Sequence, residues 1–266
     1  MSILILGSTG LVGYSLQTYF KKNRIAFFTD TRNQNHSNIQ KFYFDIYNYK
    51  SFKIDNRIKS IIYVSHIKKL EKENIKIQLM ALNFVLKLAK KSNVKLIFIS
   101  SQSTLNSSLS RYGKLKLDQS KSVINNNELS ISMGLLISDI QSGFFYLLKK
   151  YLLNKFIVLK IYPDTPLETC TTKILGDSIL MAIKNNTRGN YYIYNEDIRS
   201  FNELVDKYNF NRNKLIICIP KVFIKYLFII LNKMFKNSDF IESILSFINL
   251  KKFTSNKKFK SFSKFF

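Results

Sequence analysis

A chain of 266 residues, 46% hydrophobic and carrying 23 Phe and 15 Tyr, is long enough to bury a full core and too apolar to be disordered. Its formal net charge of +25 invites a nucleic-acid or anionic-membrane partner, yet Lys, Asn, Ile, Phe and Tyr are all plentiful while Gly (8), Pro (3) and Trp (0) are scarce. That joint skew matches the drift of an AT-rich genome, which adds lysine without regard to function, so the charge argues against nothing and only weakly for phosphorylated ligands.

In chain order the apolar runs Ser2 to Leu6, Ile25 to Thr29, Phe42 to Phe44, Ser60 to Ser65, Val94 to Ser100 and Leu129 to Met133 predict strands. Their near-continuous hydrophobicity suits a parallel sheet covered on both faces. Helical patterns lie between them at Leu11 to Lys22, Asn74 to Lys91, Arg111 to Ile124 and Ile140 to Leu153. The alternation predicts an α/β fold with a doubly wound, Rossmann-like parallel sheet built from right-handed crossovers. From about Tyr162 the rhythm changes: a loop, a helix from Thr172 to Lys184, a short strand Tyr191 to Tyr194, then mostly helix. The expected division is a sheet domain at 1–161, a smaller and mostly helical substrate-side lobe at 162–250, and a basic tail at 251–266.

Two cysteines, Cys170 and Cys218, give neither a disulfide framework nor a metal spacing, and a reduced, cytoplasmic protein is the expectation. No metal site is expected. The start MSILILGSTG lacks a basic region and a cleavage site and reads as a strand, not a signal peptide. The most apolar window, Ile216 to Leu231, is interrupted by Lys221 and Lys225, against a membrane-spanning helix. The tail from Lys251 holds six lysines among phenylalanines and no acid. A solvated terminus is its plainer reading; weak contact with a membrane surface, or with RNA, is the alternative.

The first strand runs into GSTGLVG and then a helix. Strand, tight glycine turn and helix start are the context that a dinucleotide-binding loop requires. Gly7 permits the turn, Gly10 lets backbone approach a pyrophosphate, and Gly13 lets the helix pack on the strand; Thr9, Leu11 and Val12 complete the loop. Amide groups at the helix start, with the helix dipole, would hold the anion. The three loop glycines come from only 8 in the chain, which sets the cluster apart from chance. After strand two the sequence reads TDTR. Asp30 there would accept bonds from an adenosine ribose, favouring NAD, whereas Arg32 would pair a 2′-phosphate, favouring NADP; the two point in opposite directions. Asp45 and Ile46, in FDI after strand three, are placed toward the adenine, and Ser65 closes strand four beside the loop.

Downstream, RYGKLKLDQ puts Tyr112 and Lys116 four residues apart, on one face of a helix. By itself that spacing is cheap in a chain rich in both residues. Taken in order, GSTGLVG, FDI, LKLAKKSNVKLIFISSQS and YGKLK make the chain resemble the extended branch of the short-chain dehydrogenase/reductase superfamily, the NAD-dependent epimerase/dehydratase family of nucleotide-sugar enzymes. The match runs from Met1 to about Ile137 and continues weakly to about Tyr208. The resemblance implies a catalytic set of Ser101, Tyr112 and Lys116, with Ser100 lining the nicotinamide side, Lys116 also holding the cofactor ribose, NAD or NADP as cofactor, and a nucleotide sugar as substrate. It implies an NAD(P)-dependent epimerase or ketoreductase of surface-polysaccharide synthesis, with a homodimer as the common assembly. Tyr112 would exchange a proton with a sugar hydroxyl, its phenolate favoured by the Lys116 cation.

The sequence departs from the family in four places. Gln102 and Ser103 stand where dehydratases carry an Asp-Glu pair, which argues against water elimination. Only ten residues separate Ser101 from Tyr112, fewer than in many relatives. Ser132-Met133-Gly134 replaces an Arg-Pro pair before glycine. The helix asparagine often found before strand five falls near Lys76 to Gln78 and is not evident. A protein that binds the dinucleotide but has lost catalysis is therefore the alternative reading, and a membrane-peripheral or RNA-binding protein using the basic tail is a third.

Overall fold

The structure is a computed structural model and describes residues 2–33, 41–154, 157–209, 214–224, 226 and 250. Strands β1 (Ile3–Leu6), β2 (Phe27–Thr31), β3 (Lys41–Tyr43), β4 (Ser60–Tyr63), β5 (Lys95–Ser101), β6 (Leu129–Met133) and, last in chain order, β10 (Gly189–Ile193) form one seven-stranded sheet. The spatial order is β3-β2-β1-β4-β5-β6-β10 and every pairing is parallel. This is the doubly wound Rossmann-like order, which reverses between β1 and β4 and opens a crevice at the strands' carboxyl ends there.

Strand alternation divides the core. Leu4, Leu6, Ile61, Tyr63, Leu96 and Phe98 face one side, against helix α2 (Lys72–Lys91) and Val123 of helix α3 (Arg111–Asn125). Ile3, Ile5, Ile62, Ile97, Ile99 and Ile131 face the other, against helices α1 (Leu11–Lys22) and α5 (Thr172–Lys184). Each such fully buried side chain contributes about 1.5–3 kcal/mol of transfer free energy. Gly176 on α5 lies where a Cβ would meet the Tyr19 ring at 2.3 Å, so the two helices close to ring-on-backbone contact.

A third, smaller cluster joins helix α4 (Gly143–Asn154), strand β8 (Ile157–Tyr162) and helix α6 (Phe201–Tyr208), through Phe145, Leu152, Val158, Ile161, Phe201 and Leu204. Strand β11 (Leu215–Pro220) pairs in parallel with β8, and strand β7 (Leu135–Ile137) with strand β9 (Thr169–Thr171). The expected boundary at 161/162 does not follow this packing. The helix α4 and β8 segments, expected with the sheet, build the small cluster, whereas α5 and the Tyr191 segment, expected in the lobe, complete the main sheet. The reason is that β10 pairs with β6 over five residues, a partner some sixty positions upstream that local periodicity cannot show. The basic tail at 251–266 lies outside the described residues. Among the described residues no helix is long and apolar enough to cross a membrane, and no group of three or more His, Cys, Asp or Glu could hold a metal.

Candidate active site

The glycine loop is shaped by backbone contact. At Gly7, φ is +94° and a Cβ would lie 2.6 Å from the Ser65 nitrogen; at Gly13 a Cβ would lie 2.4 Å from the Gly7 oxygen. Loop, α1 and the end of β4 are thus pressed together with no room for side chains. Gly10 differs: it is exposed, and its Cβ would meet only the Gly7 oxygen, at 3.4 Å. The space above Gly10 is open cleft. Helix α1 starts at this residue with no side-chain cap and no acid in its first turn, so its leading N–H groups are left for an anion. These features fit a dinucleotide pyrophosphate: a cradle that side chains would fill is kept empty, and the helix end that faces it is electropositive.

One cleft of about 1090 Å³ brings the expected residues together. Gly7, Thr9, Gly10, Leu11, Val12, Gly13, Asp30, Arg32, Asp45, Ile46, Ser65, Ser100, Ser101, Tyr112 and Lys116 all line it. At its glycine-loop end the Asp30 carboxylate accepts the Gly7 N–H at 2.9 Å and the Ser8 N–H at 2.8 Å, one on each oxygen. Asp45 accepts the Tyr47 N–H at 3.2 Å. Ile46 is buried, and Ser65 is buried beneath Gly7.

At the other end Ser101 closes β5, and Tyr112 and Lys116 stand on the first turns of α3. The Ser110 hydroxyl caps that helix, accepting the Gly113 N–H at 3.0 Å. Ser101 and Tyr112 share this end of the cleft, where the serine acts on the tyrosine phenol. The Ser101 Oγ also accepts from the Ser103 N–H at 3.3 Å and the Ser103 hydroxyl at 3.1 Å, so the short connection, a 3-10 turn from Gln102 to Leu109, fixes the serine. Ser100 is buried, its hydroxyl accepting from Ser120 at 2.9 Å on α3. Lys116 is buried, 4% exposed; its Nζ donates to the Ile99 carbonyl at 3.4 Å and lies 4.8 Å from the Phe98 ring centroid and 5.9 Å from that of Tyr112.

The electrostatics correct one expectation. Burial pushes the Tyr112 phenol up, and Ser101 only partly offsets it. Burial also lowers the Lys116 ammonium to about 8. Desolvation therefore outweighs the anticipated lysine effect in the protein alone, because the same enclosure that brings the pair together strips water from both.

Four further features were missed or misread. His66, just past β4, meets the Tyr112 ring edge-on at 5.2 Å and 81°. Burial, then the Lys116 charge, lowers its imidazole to about 4, with Gln78 opposing, so it is neutral. Its position at a carboxyl-end strand terminus was the available signal. Gln78 is fully buried and its amide oxygen accepts the Ile67 N–H at 2.9 Å, so a glutamine of α2 ties down the segment after β4 where an asparagine was sought. Gln102 is buried and accepts the Glu168 N–H at 3.1 Å, joining the turn after Ser101 to the segment before β9. Met133, buried, and Gly134 form the cleft wall after β6, with a Cβ on Gly134 only 2.3 Å from the Glu168 oxygen.

No family model and no curated protein matches the sequence. Solved structures do match. A nucleoside-diphosphate-sugar epimerase from Staphylococcus aureus superposes with a TM-score of 0.70 at 16% identity, over 96% of this chain and 93% of that one. A dTDP-4-dehydrorhamnose reductase from Clostridium acetobutylicum gives 0.65 at 16% identity over 83% of each chain. The same enzyme from Bacillus anthracis, in complex with NADP, gives 0.64 at 14% identity over 82% of this chain and 83% of that one. The chain has the fold of the nucleotide-sugar reductases and epimerases. At these identities the likeness establishes architecture, and the chemistry has to be argued from the cleft.

Proposed function

We propose that this chain is an NAD(P)-dependent ketoreductase or epimerase acting on a nucleotide-activated sugar. The observation that carries the reading is that one cleft holds an uncapped glycine loop at one end and Ser101 and Tyr112 together at the other, with Lys116 buried beside the tyrosine. Gly10 and the leading amides of α1 would hold the cofactor pyrophosphate, and Lys116 its nicotinamide-side ribose. When bound, the cofactor supplies hydride transfer.

The chain's own groups handle the proton. Tyr112 gives a proton to, or takes one from, the sugar oxygen, and Ser101 fixes that oxygen by hydrogen bonding. A phenol held mostly protonated suits the reductive direction, in which the tyrosine donates. Lys116, lowered to about 8, keeps most of its charge near neutral pH, so that charge is available as the phenolate forms. Neutral His66 braces the tyrosine ring without adding charge. Among the described residues lining the cleft, the carboxylates are Asp30 and Asp45, both at the adenosine end. Gln102 and Ser103 follow Ser101, so no acid pair for water elimination stands beside it, and a 4,6-dehydratase is disfavoured.

A second reading, a dinucleotide-binding protein that has lost catalysis, draws on the raised Tyr112 phenol and on Met133 in the cleft wall. Supplying nicotinamide cofactors with a panel of nucleotide-linked sugars and 4-keto sugars separates them. A reductase consumes reduced nicotinamide in proportion to ketone; an epimerase inverts a carbon with no net absorbance change. Tight cofactor binding with neither outcome would replace the enzyme reading with the second. The surface-polysaccharide setting, the homodimer and the tail's membrane contact belong to this proposal as well; sizing of the purified protein and vesicle binding with and without residues 251–266 test the last two.

A further inference from the structure

His66, just past β4, lines the cleft together with Ser101 and Tyr112 and meets the tyrosine ring edge-on at 5.2 Å. Its two nitrogens stand in different surroundings. Nδ1 is sealed from solvent and meets no hydrogen-bond partner among the described residues. Nε2 is not sealed in this way, so the far edge of the ring opens on the cleft. Beside the imidazole, and acting on it, is Gln78 of α2, which is completely buried. The orientation of its amide follows from chemistry: the Ile67 backbone N–H, at 2.9 Å, can be accepted only by the oxygen. The amide nitrogen is thereby fixed as well, and it too is sealed with no partner among the described residues.

An amide NH2 only donates, and a bare ring nitrogen only accepts, so these two orphaned groups are complementary. Leaving either unsatisfied in the interior is more costly than closing the gap between them. A ring nitrogen that accepts cannot also carry the proton, and the proton of a neutral imidazole then sits on the other one. Burial and the Lys116 charge keep the ring neutral. We propose that Gln78 holds His66 as the Nε2–H tautomer and that this N–H donates a hydrogen bond to the sugar, at an oxygen next to the one that Tyr112 protonates. Two donors on two different elements, the His66 N–H and the Tyr112 hydroxyl, then read neighbouring oxygens and fix which carbon is presented for hydride transfer. Gln78 is the positioning residue, since it decides where the proton of His66 sits. The sugar contact rests on the nucleotide-sugar reading above; the tautomer does not.

The sequence has two histidines, His36 and His66, so labelling histidine with a nitrogen isotope gives a spectrum that His36→Gln assigns. Long-range proton–nitrogen correlation on the purified full chain at neutral pH should show a bare Nδ1 and a protonated Nε2 on His66. In Gln78→Glu, which still accepts the Ile67 N–H but turns an acceptor toward His66, the proton should move to Nδ1 or the ring should become charged. A wild-type ring protonated on Nδ1, or exchanging between tautomers, overturns the tautomer assignment whatever the variant does. The sugar contact is tested with UDP-glucose, dTDP-glucose and UDP-N-acetylglucosamine, each added with NAD and with NADP. A sugar nucleotide that binds should shift the His66 Nε2 signal. His66→Phe, which keeps a ring against Tyr112, should raise the KM for that sugar nucleotide by about 3- to 10-fold and leave the cofactor-induced rise in melting temperature unchanged. Binding that leaves the Nε2 signal unmoved overturns the contact. So does a fall in turnover at unchanged KM, which would place the N–H on the Tyr112 oxygen instead. Cofactor binding with no response to any of the three sugars would overturn the contact and the enzyme reading together, and the spectrum of the free protein would still decide the tautomer.

Discussion

Gly113 packs against Ser103 so closely that a Cβ on it would stand 2.6 Å from the Ser103 carbonyl oxygen. The glycine beside the tyrosine is what lets a connection of ten residues return from β5 to α3 and still place Ser101 against Tyr112. Gly113→Ala should therefore move the turn, because the obstacle is backbone and cannot rotate away. We expect a loss of about 1–3 kcal/mol in urea unfolding and a fall in turnover larger than the stability loss explains. Cofactor affinity should stay near wild type, since the glycine loop lies on a different strand.

Tyr112→Phe removes the phenol proposed to donate the proton and keeps the ring that His66 packs against. Turnover should drop by about 10²- to 10⁴-fold. Cofactor-induced stabilisation, read as the shift in melting temperature, should remain. Unchanged turnover would show that proton transfer lies elsewhere.

Lys116 yields a pH-dependent stability signature. Its folded value, about 8, lies below the 10.5 of an unfolded lysine, so the native state binds fewer protons between those limits. The burial cost is present in full below about pH 8 and is relieved as pH rises toward 10.5; stability contributed by this group rises with pH across that window. The full difference is about 3 kcal/mol. Lys116→Met should remove that rise, and the measurement is urea unfolding of both proteins at several pH values from 7 to about 10. Identical pH slopes for the two proteins would contradict the buried, easily discharged lysine.

Glu168 is completely buried and is held by Arg199 through two bonds, of 3.1 and 2.9 Å. Arg199→Met should cost about 3 kcal/mol, the lower part of the range for a broken buried pair, since the arginine side chain is 36% exposed and its share of the attraction is screened. Adding Glu168→Gln should recover much of that loss, because the uncompensated charge disappears. The check is the urea midpoint of each single variant and of the double.

Much of the sheet was legible because its signal is local. Parallel strands buried on both faces read as unbroken apolar runs, and Leu129 to Met133, with the helices at Leu11 to Lys22 and Thr172 to Lys184, fall where the pattern places them. What was not legible depends on distant partners. The three-residue strands β7 and β9 exist only through each other, some thirty positions apart, and β11 reads as one more apolar stretch of an expected helical region. At the site, residue identities could be read in advance, but not their engagements. Nothing in the letters TDTR tells that Asp30 ties its strand to the loop amides of Gly7 and Ser8. Likewise the tyrosine–lysine spacing is visible in sequence, whereas the dehydration that governs both groups is a property of the closed cleft.

The edge strand β10 has a consequence for motion. Residues 135–188 leave the sheet at β6 and rejoin it at β10, directly alongside the strand they departed from. The substrate-side segments, α4 and β8 before β10 and α6 and β11 after it, are thus leashed to one rigid plank through two adjacent strands, and they cannot drift away as a free domain would. Any gape that admits a sugar has to be a swing about the neighbouring carboxyl ends of β6 and β10, where the Gly134 N–H bonds the Ile193 carbonyl at 3.2 Å, so the mouth should open like a jaw while the glycine-loop floor stays still.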